Sequence, residues 1–166
     1  MKKQKNRWIM LFCICCNTFC FGGVYAWSAF SGELANYMGW DYSKVTVAYS
    51  IMLMCVALMG LVGGMLLQRF GARKLMIAAG IMWGLGWFAT GMAGSIIMLY
   101  ASFGILAGCA SGFGYNPGVV TAVSWFPDKK GFASGMAVGT CGMASLIVAP
   151  LANFLLTRFN VMTAFR

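Results

Sequence analysis

Six polar or aromatic side chains lie inside long uncharged stretches of this sequence, where they could contact a small solute. They are Tyr25, Trp27, Thr46, Tyr49, Tyr115 and Asn116. Their rings can stack on a solute, and their hydroxyl and amide groups can exchange hydrogen bonds with it. Tyrosine and tryptophan are also common at membrane edges and in helix packing, so a structural role for each is the alternative.

The groups needed for most enzymatic chemistry are missing. The sequence has no histidine, and its three acidic residues, Glu33, Asp41 and Asp128, all fall between the apolar stretches. Metal and acid–base catalysis require histidines or paired carboxylates. Four cysteines between residues 13 and 20 do not converge on one point at helical spacing, so we interpret them as packing residues. We therefore expect no metal site, no cofactor and no enzymatic activity.

The composition indicates that lipid surrounds these residues. Of the 166 residues, 61% are hydrophobic and only 9% are charged, and the mean hydropathy is +0.80. Soluble domains are about 25% charged, and a membrane-spanning helix needs about 20 apolar residues. The uncharged gaps predict five spans, near residues 8–30, 44–67, 75–92, 96–124 and 131–156, with a turn at 90–95.

The basic residues fall mostly on one side of these spans. Nine of the twelve lysines and arginines precede span one or follow spans two and four. This positive-inside pattern predicts a multi-pass protein of the plasma or inner membrane with a cytoplasmic N-terminus. The net charge of +9 is spread over loops, so we do not expect a nucleic-acid partner. The first apolar stretch exceeds the length of a typical signal peptide, and we expect it to be retained.

Small residues and one internal similarity suggest how the spans pack. Gly131, Gly135 and Gly139 recur every four residues in span five, and spans two and four carry further glycines. Such residues let membrane helices approach closely. Tyr25 and Tyr115 each follow a glycine by three residues, at equal offsets in spans one and four, which run in opposite directions. Mirrored offsets are typical of an inverted repeat.

The connection after span two carries a recognisable motif. It contains Gly64, Gln68, Arg69, Gly71 and Arg73 in the pattern G-x-x-x-Q-R-F-G-x-R-K. This resembles the loop signature of the major facilitator superfamily, G-x-x-x-D-R-x-G-x-R-[RK]. The resemblance implies a cytoplasmic gating loop in these residues. Gln68 replaces the usual aspartate, so it keeps hydrogen bonding but lacks the charge that locks the neighbouring helix bundle.

A second motif precedes span five. The stretch consists of Trp125, Phe126, Pro127, Asp128 and Lys129, followed by a lysine and a glycine. Together with Tyr-Ala-Trp-Ser at 25–28, it resembles the oxalate/formate antiporter-like branch of that superfamily. The two rings suit a membrane interface, and the Asp128 carboxylate suits the N-terminus of span five.

The resemblance implies a fold and a function. The fold would be an all-α integral membrane bundle, the N-terminal half of a twelve-span carrier, with five complete spans and the start of a sixth. The protein would carry a small carboxylate by alternating access, as an antiporter or a symporter, and the missing C-terminal half would supply the basic residues. Tyr25 and Thr46 match solute-path positions, whereas Cys141 stands where some members have an aromatic residue.

The alternative function involves no transport. A non-transporting multi-pass scaffold, or the remnant of a truncated transporter gene, would also explain an odd number of spans. A reading frame that continues downstream with about seven further spans would favour the carrier.

Overall fold

The structure is a computed structural model that describes residues 7–158. Lys2, Lys3 and Lys5, which belong to the predicted basic N-terminus, and the predicted start of a sixth span lie outside this range. Within it the chain forms helices joined by short turns. The helices are α1 Arg7–Phe21, α2 Trp27–Met38, α3 Tyr42–Phe70, α4 Ala72–Thr90, α5 Ile96–Leu99, α6 Gly108–Trp125 and α7 Lys130–Arg158.

Three short non-α segments complete the helical runs. A 3₁₀ turn at Gly22–Ala26 joins α1 to α2, a π-helix at Tyr100–Ala107 joins α5 to α6, and a 3₁₀ turn at Pro127–Lys129 leads into α7. Four segments of the described chain are long and apolar enough to cross a membrane, namely Arg7–Tyr25, Tyr42–Phe70, Ile96–Trp125 and Pro127–Val148. The predicted all-α membrane fold is confirmed. The remaining predicted span corresponds to α4, a 19-residue helix whose first turn contains Arg73 and Lys74.

Helices α3 and α6 pack through glycines that bring their backbones into contact. A Cβ atom at Gly104, in the π-helix that leads into α6, would lie 2.9 Å from the Ile51 side chain, and one at Gly112 would lie 2.9 Å from the Val56 carbonyl oxygen. From the other helix, a Cβ atom at Gly63 would lie 3.3 Å from the Gly112 carbonyl oxygen. Close approach of this kind replaces the hydrophobic driving force that lipid cannot provide between helices.

The glycines of α7 do not make comparable contacts. Added Cβ atoms at Gly131, Gly135 and Gly139 would have no neighbour within 4 Å among the described residues. The glycines of spans two and four, from which similar contacts were expected, do pack closely between α3 and α6, whereas those of span five, where the period is clearest, contact no other described helix. Period alone does not reveal which helix face meets a partner.

A cluster of aromatic rings fills the bundle beside the 3₁₀ turn of span one. Trp27 is buried and stacks on Phe103 of the π-helix, with ring centroids 3.8 Å apart and planes at 16°. Trp87 of α4 meets the edge of Phe103 at 5.8 Å, and Trp83 meets Phe21 at 5.2 Å. Stacked and edge-to-face pairs contribute about 0.5–1.5 kcal/mol beyond their buried area. This cluster therefore ties span one to spans three and four.

Hydrogen bonds hold the end of span four that lies near the start of α3. The Tyr100 hydroxyl donates to the Lys44 carbonyl oxygen at 2.9 Å. The buried Thr90 hydroxyl lies 2.8 Å from the Gly86 carbonyl oxygen and 3.2 Å from Ser102 Oγ. These contacts anchor the π-helix to α3 and α4.

Replacing Gly112 by alanine is expected to destabilise the bundle, because its Cβ atom would lie 2.8 Å from Met59 Cβ. Overpacking typically costs about 1–3 kcal/mol. The thermal unfolding midpoint of the full-length protein in detergent should fall. Gly84→Ala is the matched control, because nothing lies within 4 Å of that position and alanine favours a helix. An unchanged midpoint in Gly112→Ala would contradict the close α3–α6 contact.

Candidate functional site

A cavity of about 90 Å³ lies among spans one, two, four and five. It has room for a solute of a few heavy atoms. Three of the six predicted solute-path residues, Tyr25, Tyr49 and Tyr115, line this one cavity. The remaining wall residues are Phe21, Val24, Leu53, Val56, Ser111 and Cys141.

Helical spacing explains how each wall forms. Tyr49, Leu53 and Val56 recur at intervals of four and three along α3, so they share one face of that helix. Ser111 and Tyr115 are four residues apart on α6 and share a face in the same way. The α3–α6 glycine contact therefore sets these two faces beside each other.

Span one closes the cavity through its non-α turn. Phe21 ends α1, and its buried ring packs directly against Gly114 of α6, where a Cβ atom would overlap it. Gly22 is similarly pressed against the Cys141 carbonyl oxygen of α7. Tyr25 then projects from the 3₁₀ turn with 56% of its surface exposed, so it lies at the open edge of the cavity.

The chemistry of the cavity is polar but uncharged. Its wall includes the hydroxyl-bearing residues Tyr25, Tyr49, Tyr115 and Ser111 and the thiol of Cys141, set among apolar side chains, and none of its lining residues is an aspartate, glutamate, lysine, arginine or histidine. Hydroxyl groups can donate hydrogen bonds to a carboxylate or carbonyl oxygen. The described residues also contain no group of three or more potential metal ligands.

Two predicted path residues lie away from this cavity. Trp27 does not line it. Its side chain is buried, with 4% of its surface exposed, and its ring stacks on Phe103 in the aromatic cluster. Thr46 is exposed, and its hydroxyl donates to the Tyr42 carbonyl oxygen one turn earlier at 3.0 Å. Each residue is close in the sequence to a tyrosine that lines the cavity, but the rotation of its helix turns its side chain in another direction.

Asn116 lines a different cleft. This cleft has a volume of about 470 Å³, and its lining includes Tyr115, Asn116, Gly60 and Val138. The Asn116 amide rests directly on Gly60, where a side chain would collide with it. Asn116 therefore packs across the α3–α6 contact, whereas its neighbour Tyr115 borders both spaces.

Sequence reasoning overlooked two polar groups of the cavity as solute contacts. Ser111 was not singled out, although its position one turn before Tyr115 places it on the same helix face. Cys141 was noted only as a position of variation. It is buried in the cavity wall with 5% of its surface exposed, and no spacing signal links it to span one.

The predicted gating loop is short and exposed. Gly71 connects α3 to α4 with a φ of +78°, a conformation that favours glycine, and its N–H bonds the Leu67 carbonyl oxygen at 3.0 Å. Gln68, Arg69 and Arg73 are exposed, and the Arg69 guanidinium lies 5.7 Å from the centre of the Phe70 ring. Neither arginine forms an ion pair within residues 7–158. A Cβ atom added at Gly64, one helical turn before Gln68, would have no neighbour within 4 Å in the described part of the chain.

The motif before α7 packs against the start of α1. Phe126 is 2% exposed, and Trp8 meets its ring edge-to-face at 5.4 Å. The Arg7 guanidinium lies 5.4 Å from the same ring, and its nitrogen is 3.7 Å from the Asp128 carboxylate. Phe126 thus anchors the loop, and Asp128 has a cationic partner that the sequence did not predict.

The rest of this motif shapes the helix entry. Trp125 is partly buried against the cluster that contains Phe126. Pro127 begins the 3₁₀ turn, where its fixed φ suits the first position and its missing N–H costs nothing. Asp128 and Lys129 are exposed. An exposed ion pair such as Arg7–Asp128 contributes about 0–1 kcal/mol, so the buried ring is the stronger contact.

Known proteins resemble this chain over nearly its whole length. It is 36% identical over 143 residues to an Escherichia coli (strain K12) protein described as an uncharacterized MFS-type transporter, YhjX, covering 86% of this chain and 36% of that protein. It is 32% identical over 161 residues to the oxalate:formate antiporter of Oxalobacter formigenes, covering 96% and 38%. Monocarboxylate transporter 3 of Mus musculus is 28% identical over 154 residues, covering 92% and 31%.

The chain spans about a third of the length of these relatives. The family description Major Facilitator Superfamily matches residues 7–166, which include both loop motifs and every wall of the cavity. The all-helical bundle agrees with that match. This chain belongs to the Major Facilitator Superfamily, as a multi-pass membrane protein of the transporter class.

Proposed function

We propose that the protein carries a small carboxylate across the membrane by alternating access, as an antiporter or a symporter. The observation that carries this proposal is the convergence of Tyr25, Tyr49 and Tyr115 on one small cavity. These tyrosines come from three different spans, so their hydroxyls could hold a carboxylate from several directions. Two relatives are named for an oxalate:formate exchange and for monocarboxylate transport, which supports the same solute class.

The cavity wall built by this chain would be only part of the complete site. A carboxylate transferred from water into an apolar site needs compensation for its lost hydration. Four hydroxyls offer hydrogen bonds but no positive charge. We therefore assign the cationic partner to the remainder of the carrier, which would face this cavity. Rocking of the two halves about that shared site would open it alternately to each side, without covalent chemistry.

The loops would face the cytoplasm. Arg69, Arg73 and Lys74 lie in and just after the connection between α3 and α4, while Lys129 and Lys130 lie at the entry to α7. Positive charge favours the cytoplasmic side of a plasma or inner membrane. Gly64, Gln68 and Arg69 would then belong to the cytoplasmic gate, where the exposed Gln68 would supply an amide in place of the usual negative charge.

The substrate class predicts a direct transport result. Full-length protein in liposomes should take up labelled oxalate, formate or another small carboxylate, and protein-free liposomes should not; a requirement for unlabelled carboxylate inside would identify an antiporter, and uptake without it a symporter. Amines and sugars of similar size, which lack a carboxylate group, serve as negative controls. Lack of uptake across a panel of small carboxylates, with protein of verified fold, would refute this substrate class.

Removing one cavity hydroxyl is expected to weaken solute binding while leaving the fold intact. Tyr115→Phe keeps the ring but loses a donor, and a hydrogen bond to a charged group contributes about 1.5–3 kcal/mol. The carboxylate concentration for half-maximal exchange should therefore rise about tenfold or more. Tyr42→Phe is the matched control, because Tyr42 is exposed at the start of α3. An equal change of this concentration in both variants would show that the Tyr115 hydroxyl does not bind the solute.

Topology provides a separate test. A protease-cleavable tag placed before Arg7 should be cut in inside-out membrane vesicles and protected in right-side-out vesicles. A tag inserted at the exposed Gly39 between α2 and α3 should give the opposite pattern. The reverse result would place the basic loops outside and overturn the proposed orientation.

A further inference from the structure

The cleft that contains Asn116 adjoins the candidate cavity through one shared side chain. Tyr115 lines both the cavity of about 90 Å³ and the cleft of about 470 Å³. Helices α3, α6 and α7 contribute walls to both spaces. The Tyr115 side chain therefore lies at the boundary between a small space and a larger one.

The order of residues along the helices shows where the cleft lies relative to the cavity. On α3 and α6, cleft residues such as Leu61 and Val120 come later in the chain than the residues that line the cavity. On α7, the cleft residue Val138 comes before the cavity residue Cys141. Because spans four and five are joined by a short turn, α7 runs in the opposite direction to α6. All three helices therefore place the cleft toward the same end of the bundle.

That end of the bundle carries the basic connections. Arg69 and Arg73 lie where α3 ends and α4 begins, and Lys129 and Lys130 lie at the entry to α7. Clustered positive charge raises the local concentration of an anion. A carboxylate that leaves the cavity through the cleft would therefore move toward favourable charge.

Asn116 brings hydrogen-bonding capacity to a largely apolar wall. Apart from Tyr115 and Asn116, the described lining of the cleft consists of glycine, alanine, leucine and valine. The Asn116 side chain is exposed, and its amide nitrogen packs against Gly60, where a larger residue would collide with it. An amide has two N–H donors, whereas a carboxylate that passes apolar side chains loses hydration without compensation. Asn116 is therefore suited to hold a carboxylate on its way.

We propose that this cleft is the passage between the candidate cavity and the basic end of the protein, and that the Asn116 amide binds the carboxylate in transit. The inference rests on the proposed function, because it takes a small carboxylate as the solute. Tyr115 divides the passage from the cavity, so the solute passes this side chain as it moves from one space to the other. Asn116 then governs the rate of passage, while the cavity hydroxyls govern binding.

The first test measures whether a dissolved anion reaches the cleft. The full-length Val120→Cys variant in sealed membrane vesicles is treated with a water-soluble anionic methanethiosulfonate reagent, and peptide mass spectrometry locates the modified cysteines. Val120 lines the cleft and is 55% exposed. Residue 120 should be modified in the vesicles whose orientation exposes a tag before Arg7, and saturating oxalate or formate should slow the modification.

Leu85→Cys is the matched control. Leu85 is 56% exposed, but it lies on α4, which contributes no described residue to the cleft or the cavity. Lipid should exclude the charged reagent there, so residue 85 should stay unmodified. Absence of modification at residue 120 would mean that the remainder of the carrier fills the cleft, and modification only in the opposite orientation would place the opening at the other end. Either result would overturn the proposal.

The second test separates passage from binding. Asn116→Leu keeps a side chain of similar size but removes the amide, so the maximal rate of carboxylate uptake should fall about tenfold or more, because a hydrogen bond to the passing anion is lost. The concentration for half-maximal uptake should stay close to the native value, because the cavity wall is unchanged. Asn36→Leu makes the same chemical change at an exposed residue of α2 outside both spaces, and it should transport normally. An unchanged maximal rate in Asn116→Leu would refute the role of its amide.

These measurements distinguish failure of this inference from failure of the proposed function. If the native protein takes up carboxylates but residue 120 is not modified, the passage lies elsewhere and the proposed function stands. If the native protein takes up none of the carboxylates in the panel, the proposed function is refuted, and the role of Asn116 with it. If Asn116→Leu fails to fold, the modification of residue 120 and its protection by carboxylate decide the proposal.

Discussion

The contact between the backbones of α3 and α6 is the constraint on which the rest of this bundle depends. Lipid is as apolar as leucine, so two membrane helices gain little by burying hydrophobic surface against each other. Gly104 of the π-helix and Gly108 and Gly112 of α6 instead remove side chains along one face of span four, and α3 fits against that face. The gain comes from many short van der Waals contacts, which a single added methyl group would disrupt.

This contact also fixes the candidate cavity. Once α3 and α6 touch, the face that carries Tyr49 must lie beside the face that carries Ser111 and Tyr115. Phe21 then rests in the gap at Gly114 and sets the position of span one. Tyr25, four residues later in the 3₁₀ turn, lines the same cavity. A carrier needs a site whose walls keep their spacing while whole bundles move, and this packing is suited to that role.

The sequence predicted the fold better than the site. Charged residues are so costly inside lipid that their gaps mark the helical runs, and the turn between α4 and α5 occurs where small and polar residues cluster. The convergence of Tyr25 and Tyr115 agrees with their mirrored offsets, because an inverted repeat brings equivalent positions together. Helix rotation is different, since it is set by tertiary contacts. Trp27 and Thr46 therefore lie near cavity residues along the chain but make their contacts elsewhere, Trp27 with Phe103 and Thr46 with the Tyr42 carbonyl oxygen.

The absence of charge in the cavity wall has a physical rationale in a carrier built from two halves. A cation placed in this wall would have to remain buried whenever the site is closed and empty, at a cost of several kcal/mol. Hydroxyls of Tyr25, Tyr49 and Tyr115 carry a much smaller penalty, since each can bond water, a solute or a neighbour. With the cation on the opposite half, a bound carboxylate would join the two walls electrostatically. Closure would then be more favourable with the solute present than without it, which couples movement of the halves to transport.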